Sequence, residues 1–545
     1  MPKRIGRWGL LAGFLGVVAI AAPTGAAVST GDEGWPGQLG GAVSWHWRLP
    51  DAPNGLKPTQ SWHATGSSPD GDIYVAGMDH ATDAALFRLT SGDLRYVGDA
   101  RSASEAVGNW APGETAQKFH TRPLWHRGRV YVGAMDRSGL DDEYLSRRGF
   151  HWYEYDPRAG TFADLSAAAP GGTAVDHGFV VTLASDPERD VIYGAGVPTG
   201  EIYRYDVASG RTNRLGRPAS FDRKYVYAGR VMWLDARGRL YFSAGNPAWG
   251  TYAPSVYGHI YFYDPATAAF GERRDWPLQE ARAIEAGQCL PTTPKRCFFT
   301  DDSGHVYRFD DDPAGPRWSY VGRAETEADL IWAFEVSADG RKAYLVASSF
   351  AHRSVPPVLY EFDLTDGATR RLCTLGDLSG ELAQLKHHTG YDAWDRDGRF
   401  YVSSFSPNEH RNVILTRIDP VRLKAALGVL PAVTEVTVER KANDAADAAP
   451  GFVFRRTAEN TTAAQQVLYR LAPPAGADGG AAAPQQPEER YGTITIPPGA
   501  ASVSVSLRDL LADWPGLQGS ALHGALSVVP NGNDYTVGGH GAAVF

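Results

Sequence analysis

The chain reads as all-β: a seven-bladed β-propeller over residues 45–428, followed by a small β-sandwich over 432–545. Two observations predict this. A strand phrase ending in aromatic-x-aromatic-Asp, or a near relative, recurs seven times at spacings of about 46 to 68 residues. A second phrase of the type Asp-Gly-x-x-Tyr-Val precedes several of these copies, and both alternate with period two between Gly and Asp turns, as antiparallel strands do. A four-stranded sheet cannot bury both faces alone, so such units must stack on one another around an axis. A tandem of β-sandwiches is the alternative architecture.

Taken in order, the chain opens with Lys3, Arg4 and Arg7, then an apolar run from Trp8 to Ala22, then small residues ending at Gly25-Ala26-Ala27. Charged, hydrophobic and cleavage regions in that order predict a secretory signal over residues 1–27 and a secreted, extracellular protein. The apolar run is short for a bilayer span of roughly 20 residues, so no membrane association is expected after its removal. The third-strand phrase then appears as Ala85-Leu86-Phe87-Arg88-Leu89, Tyr153-Glu154-Tyr155-Asp156, Tyr203-Arg204-Tyr205-Asp206 and Tyr261-Phe262-Tyr263-Asp264. It returns as Tyr307-Arg308-Phe309-Asp310, Tyr360-Glu361-Phe362-Asp363 and Thr416-Arg417-Ile418-Asp419. The second-strand phrase stands at Asp70 to Val75, Arg127 to Val132, Arg237 to Phe242 and Asp397 to Val402. After Gly428 the repeat stops; strand-like alternation resumes to Phe545, interrupted by a low-complexity stretch from Ala472 to Pro487.

Composition removes some functions. With 53 basic against 62 acidic residues the 545-residue chain carries a formal charge of −9, and loss of the three leader cations makes it more acidic still. No broad cationic face is left for nucleic acid, and a polyanionic substrate needs a local basic pocket. Of the three cysteines, Cys289 and Cys297 flank a Pro-containing loop that an oxidising compartment would close as a disulfide, leaving Cys373 over. The sequence holds no G-x-S-x-G elbow, no H-E-x-x-H, no phosphate loop and no dinucleotide fingerprint between strand and helix, so no organic cofactor is expected. Nothing in the chain calls for a partner subunit, and a monomer is expected.

Equivalent positions of a propeller meet around one funnel, so register identifies residues that converge from distant places. Eleven residues before the Tyr of each second-strand phrase stand His63 (from Tyr74), His120 (from Tyr131) and Arg230 (from Tyr241). Looser counts add His388 before Tyr401, His177 before Tyr193 and Trp332 before Tyr344, with Tyr225 and Tyr227 just ahead of Arg230. Any one of these histidines taken alone reads as an ordinary polar strand-end residue; agreement of several repeats at one rim makes a site. Arginine, phenols and imidazoles without a nucleophile and acid pair suit β-elimination of a uronic-acid polysaccharide. The difficult step there is removal of the C5 proton beside a carboxylate. An Arg neutralises that carboxylate and stabilises the enolate, and a His or Tyr takes the proton.

Several stretches resemble the long ulvan lyases, polysaccharide lyase family 24. They are Ser61-Trp62-His63-Ala64-Thr65-Gly66, Lys118-Phe119-His120-Thr121-Arg122-Pro123, Arg148-Gly149-Phe150-His151-Trp152-Tyr153, Val197 to Asp206 and Tyr225-Val226-Tyr227-Ala228-Gly229-Arg230. The resemblance covers residues 45–428 and implies cleavage between a sulfated rhamnose and a uronate, leaving an unsaturated uronyl end. It implies His120 as base, Tyr227 as acid and Arg230 as neutraliser, with His177, Tyr225 and His151 open to any of those roles. Substrate contacts are expected from His63, Lys118, Arg122, His151, Tyr225, Trp332 and His388. Gln384, His387 and His388 resemble in part the cation-holding cluster of oligogalacturonate lyases. Neighbouring strand residues point to opposite faces, though, so a divalent metal ion stays open and no ligand set follows. The tail resembles a Calx-β or Ig-like sandwich in Ile496-Pro497-Pro498-Gly499-Ala500 and Asp534-Tyr535-Thr536-Val537-Gly538. A lyase on pectic or rhamnose-glucuronate oligosaccharides and a non-catalytic carbohydrate-binding propeller are the competing readings.

Overall fold

The computed structural model describes residues 34–135, 148–221, 226, 228–244, 258–292, 294–326, 330–348, 356–406, 411–430, 432–441, 451–457, 462–472, 489–511 and 525–544. The signal segment, Tyr225, Tyr227 and nearly all of the low-complexity stretch lie outside them. The described chain is all-β, built of four-stranded antiparallel sheets consistent with a propeller. Its helices are short, among them Ala100–Ala106, Leu375–Leu378 and Pro420–Ala426. None of the described helices is long and apolar enough to cross a membrane.

The sheets follow the repeat. The first joins Thr65–Ser67, Ile73–Gly77, Ala85–Thr90 and Asp93–Asp99; the second has Lys118–Phe119, Arg129–Met135, Trp152–Asp156 and Thr161–Asp164, with Leu124–His126 added on Arg129–Met135. Phe179–Asp186, Val191–Val197, Ile202–Asp206 and Arg211–Gly216 form the next, then Ala228–Leu234, Leu240–Ala244, Ile260–Asp264 and Ala269–Arg273. Ala286–Leu290, Arg296–Thr300, His305–Asp310 and Arg317–Arg323 come after, followed by Leu330–Val336, Lys342–Ser348, Val358–Asp363 and Thr369–Thr374. In the last of the series, His387–Gly390, Phe400–Phe405 and Ile414–Ile418 take their outer strand, Ser44–Arg48, from the start of the described chain. Trp332 and Ala333 also bridge in parallel to Thr389 and Gly390.

One turn repeats for a clear reason. Asp235 accepts from the backbone N–H of Arg237 and Arg239, Asp301 from those of Ser303 and His305, and Asp395 from those of Asp397 and Arg399. Each turn passes through a glycine in the left-handed region, Gly238 at φ +75°, Gly304 at +84° and Gly398 at +74°. The second oxygen of each Asp takes the hydroxyl of the Tyr six residues on: Tyr241 at 3.0 Å, Tyr307 at 3.3 Å and Tyr401 at 2.9 Å. Tyr241 and Tyr401, in second strands, are thus tied to the turn before them, which locks the register between the first two strands of their sheets, while Tyr307, in a third strand, is tied to the turn between the second and the third.

Apolar residues between successive sheets bury the faces that no sheet covers alone. Tyr74 and Leu86 meet Val132 and Tyr153, and Trp152 meets Val180 and Tyr205. Tyr193 meets Phe242 and Tyr261, and Trp233 meets Phe299, Phe309 and Phe334. Tyr344 meets Phe400, and Trp47 and Tyr401 return to Val75 and Phe87 of the first sheet. A cross-strand disulfide joins Cys289 to Cys297, directly opposite in register, and Cys373 is a buried free thiol pushed up to about 12 by burial.

Beyond residue 432 two four-stranded sheets enclose a separate core that includes Val436, Phe452, Phe454, Tyr469, Leu526 and Tyr535. The loop Pro530–Asp534 docks on the inner turns of the preceding sheets. Tyr344 Oη donates to Gly532 O at 2.8 Å, Asn533 Nδ2 donates to Ser337 Oγ at 3.2 Å, and Arg341 pairs with Asp534 at 3.0 Å.

Candidate functional site

The innermost strands bring together residues that stand far apart in the chain. His63 occupies a left-handed backbone position (φ +51°) just ahead of Thr65–Ser67, and His120 follows Lys118–Phe119. Arg230 lies where the register of Ala228–Leu234 against Leu240–Ala244 slips, and its backbone N–H bonds across to Ile284 O at 2.9 Å. Trp332 likewise falls in a bulge between Ile331 and Ala333. Bulges turn a side chain off the regular pleat, and here they fall at Arg230 and Trp332.

Arg230 is the centre of the cluster. Its Nη1 lies 3.1 Å from His120 Nε2, its Nε 3.9 Å from Glu285 Oε2, and its carbonyl accepts the Tyr391 hydroxyl at 3.2 Å. The Tyr391 ring stands 6.2 Å from His63 and carries the Arg122 guanidinium 5.5 Å above it; Arg122 in turn pairs with Asp392. His63 is 5.6 Å from Trp332, which stacks on His387 at 5.9 Å. Trp62 packs against both of the latter, and Lys118 Nζ stands 6.0 Å from the Trp62 ring.

Burial dominates the electrostatics. It holds the His120 and His63 imidazoles well below the usual value, with the Arg230 charge acting the same way, so both are neutral at physiological pH. The Glu285 carboxyl is pushed up to about 8 by burial against the opposing pull of Arg230. A guanidinium has only donors, so Arg230 donates and His120 Nε2 accepts; the imidazole proton then belongs on Nδ1. That Nδ1, His63 Nδ1 and both Glu285 oxygens are buried without a hydrogen-bond partner among the described residues. Buried polar atoms are nearly always satisfied, so these four set the cluster apart from an ordinary core.

The remaining sequence-predicted residues fall elsewhere. His151 lies 2.7 Å from Asp164 and 2.8 Å from Glu114, inside a buried network with Ser104, Asn109 and Arg148. Those carboxylates outweigh its burial and raise it to about 9, so it is a held cation. His177 is exposed at a left-handed turn (φ +55°) and borders a groove of about 780 Å³ with Pro198, Glu201 and Arg214. His388 turns to Ser404 Oγ at 2.8 Å and Leu385 O at 3.2 Å, while its neighbour His387 takes the face toward Trp62 and Trp332. Gln384 accepts from Arg411 at 3.1 Å, and among the described residues no group of three or more His, Cys, Asp or Glu is placed to hold a metal ion.

Glu285, Tyr391 and His387 enter the cluster without having been selected by register. The signal for His387 is a phrase: His63-Ala64-Thr65-Gly66 matches His387-His388-Thr389-Gly390, which aligns His387 with His63 and places Tyr391 next after the phrase. For Glu285 it is a lone carboxylate between Ile284 and Ala286 in an otherwise apolar run, a position where charge is rare without a purpose.

These features define a buried polar cluster in an all-β protein of stacked four-stranded sheets. No family model matches the chain, and no curated protein does. Among solved structures, the periplasmic gluconolactonase PpgL of Pseudomonas aeruginosa is similar over 63% of this chain and 94% of its own, at 15% identity and a TM-score of 0.37.

Proposed function

We propose that this chain is a secreted polysaccharide lyase: a seven-bladed propeller with an appended sandwich, cleaving ulvan by β-elimination. The observation that carries the reading is the buried Arg230 guanidinium donating to His120 Nε2 beside unsatisfied polar atoms. A uronate carboxylate is the better partner for a guanidinium, being charged and able to accept two parallel hydrogen bonds. When it takes Arg230, the Nε2 lone pair of His120 is released next to the C5–H of the same sugar. The base removes the C5 proton, the Arg230 charge stabilises the enolate, and C4=C5 forms as the C4–O4 bond breaks. The departing O4 takes a proton; Tyr227, which lies just ahead of Arg230, is the assigned donor. A base that is neutral because it is buried beside a cation is ready to accept a proton without first losing one.

The resemblance of the Lys118-to-Pro123 and Tyr225-to-Arg230 phrases to the long ulvan lyases supports sulfated rhamnose and uronate as the substrate, and the leader supports export. Incubation with ulvan, followed by the ultraviolet absorbance of the conjugated double bond, tests the reading. Activity is expected in the wild type and loss of at least about a thousandfold in Arg230→Ala, whose fold is retained. Absence of any absorbance rise with ulvan, pectic and rhamnose-glucuronate polymers alike refutes it.

A further inference from the structure

Glu285 stands at the entry to the strand Ala286–Leu290 and is 1% exposed. A carboxylate so deeply buried is either hydrogen-bonded, paired or protonated, because its charge loses most of its hydration. Neither of its oxygens has a hydrogen-bond partner among the described residues, and Arg230 Nε, at 3.9 Å, is beyond bonding reach. The charged and titratable groups facing it come from several elements. Arg230 projects from Ala228–Leu234, Tyr391 follows His387–Gly390, Arg282 precedes its own strand, and Asp301 and Asp302 occupy the turn before His305–Asp310. Arg282 is bonded to Asp302 at 2.8 Å and Asp301 to His305 at 2.8 Å. Arg230 is therefore the cation that answers Glu285, and it is the same group that would receive the substrate's carboxylate.

We propose that Glu285 is a positioning residue of this site, one that sets how much of the Arg230 charge is left for an incoming uronate and thereby makes uronate affinity depend on pH. The inference rests on the reading of Arg230 as a carboxylate binder. While Glu285 keeps its proton, the guanidinium presents its whole charge to the sugar. Once Glu285 ionises, it draws on that charge and repels the second carboxylate. Burial places this change at about 8. Glu285→Gln keeps the shape and stays neutral throughout.

The test is calorimetric titration of the full chain with methyl glucuronide, from about pH 6 to about pH 9.5, with methyl glucoside as the uncharged control. Wild-type affinity for the glucuronide is expected to fall by roughly ten- to a hundredfold across this range, and that of Glu285→Gln by less than about threefold. Denaturant unfolding of the two proteins supplies a readout without ligand. A carboxyl raised in the folded state gives up stability relative to the Gln variant between the ordinary Glu range and about pH 8. Parallel affinity profiles, or a flat stability difference, overturn the role of Glu285 even where uronate binds well. No glucuronide binding by either protein at any pH overturns the reading of Arg230, and this inference with it.

Discussion

His151→Gln is the substitution whose outcome follows most directly from the geometry. In the fold the His151 ring lies between Asp164 and Glu114, at 2.7 and 2.8 Å, with all three side chains at most 3% exposed. Burial by itself would favour the neutral ring, but the two carboxylates outweigh it and raise the imidazole from 6.5 to about 9. At about 1.4 kcal/mol per pKa unit, that rise links about 3 kcal/mol of folding stability to the bound proton. Because the folded value lies above the unfolded one, the contribution is complete below 6.5 and lost as pH climbs through about 9. Asp164 and Glu114 behave in the opposite sense. Against burial, His151 draws both carboxyls below their usual range, so their share is present at neutral pH and lost on acidification. Gln at position 151 can hydrogen-bond but carries no charge. Urea unfolding of wild type and variant at about pH 6 and about pH 10 should therefore show the wild-type advantage shrinking by about 3 kcal/mol at the higher pH. Two parallel profiles would refute the argument, since they would mean that the ring is not a buried cation in the folded protein.

Two further substitutions probe the frame of the site. In Gly229→Ala the new Cβ would lie 2.9 Å from Ile284 O and 2.2 Å from Ser243 Oγ, so the strand carrying Arg230 must move off its neighbour. A loss of about 1–3 kcal/mol in urea unfolding and a larger fall in uronate affinity than in stability are expected; an unchanged affinity would separate Arg230 from binding. Replacing Cys289 and Cys297 by Ser, or adding reductant, removes a closure across 8 residues of separation and should cost about 2.5 kcal/mol on the chain-entropy relation. The variant should then be insensitive to reductant, whereas a reductant effect that persists in it would assign the loss to another cause.

Part of the candidate site was legible by counting back from the second-strand Tyr, and in two sheets a turn that ties this Tyr to an Asp supports the count. Asp235 with Tyr241 and Asp395 with Tyr401 hold the offset between the first two strands constant. A count of eleven back from the Tyr finds Arg230 behind such a turn, and it finds His63 and His120 in sheets whose Tyr74 and Tyr131 are not tied to an Asp, the Tyr131 hydroxyl donating to Glu154 instead. The count failed at His388 because the segment after Gly390 is irregular: Ala393 backs onto Tyr401 and Trp394 makes only an isolated bridge to Phe400. Alternation cannot be carried across such a segment, and it is His387, the neighbour of the counted residue, that packs on Trp62 and Trp332. His177 lies beyond a strand start in an exposed left-handed turn, where register has no meaning. His151 entered as a residue of a resembling phrase open to a catalytic or substrate role, yet its partners Glu114 and Asp164 come from a loop and an outer strand that no repeat predicts.

The residues alone determined the all-β character, the recurrence of four-strand units and the oxidised cysteine pair, since period-two alternation, turn chemistry and short-range spacing are local properties. Only the tertiary arrangement decided which polar side chains share a space. It set Arg230 against His120 across 110 positions of sequence and left Glu285 beside them with neither oxygen bonded. The physical reason is that hydrogen bonding and loss of hydration depend on separations of a few ångströms. Those separations are set by how whole sheets stack, and no window of the sequence records them.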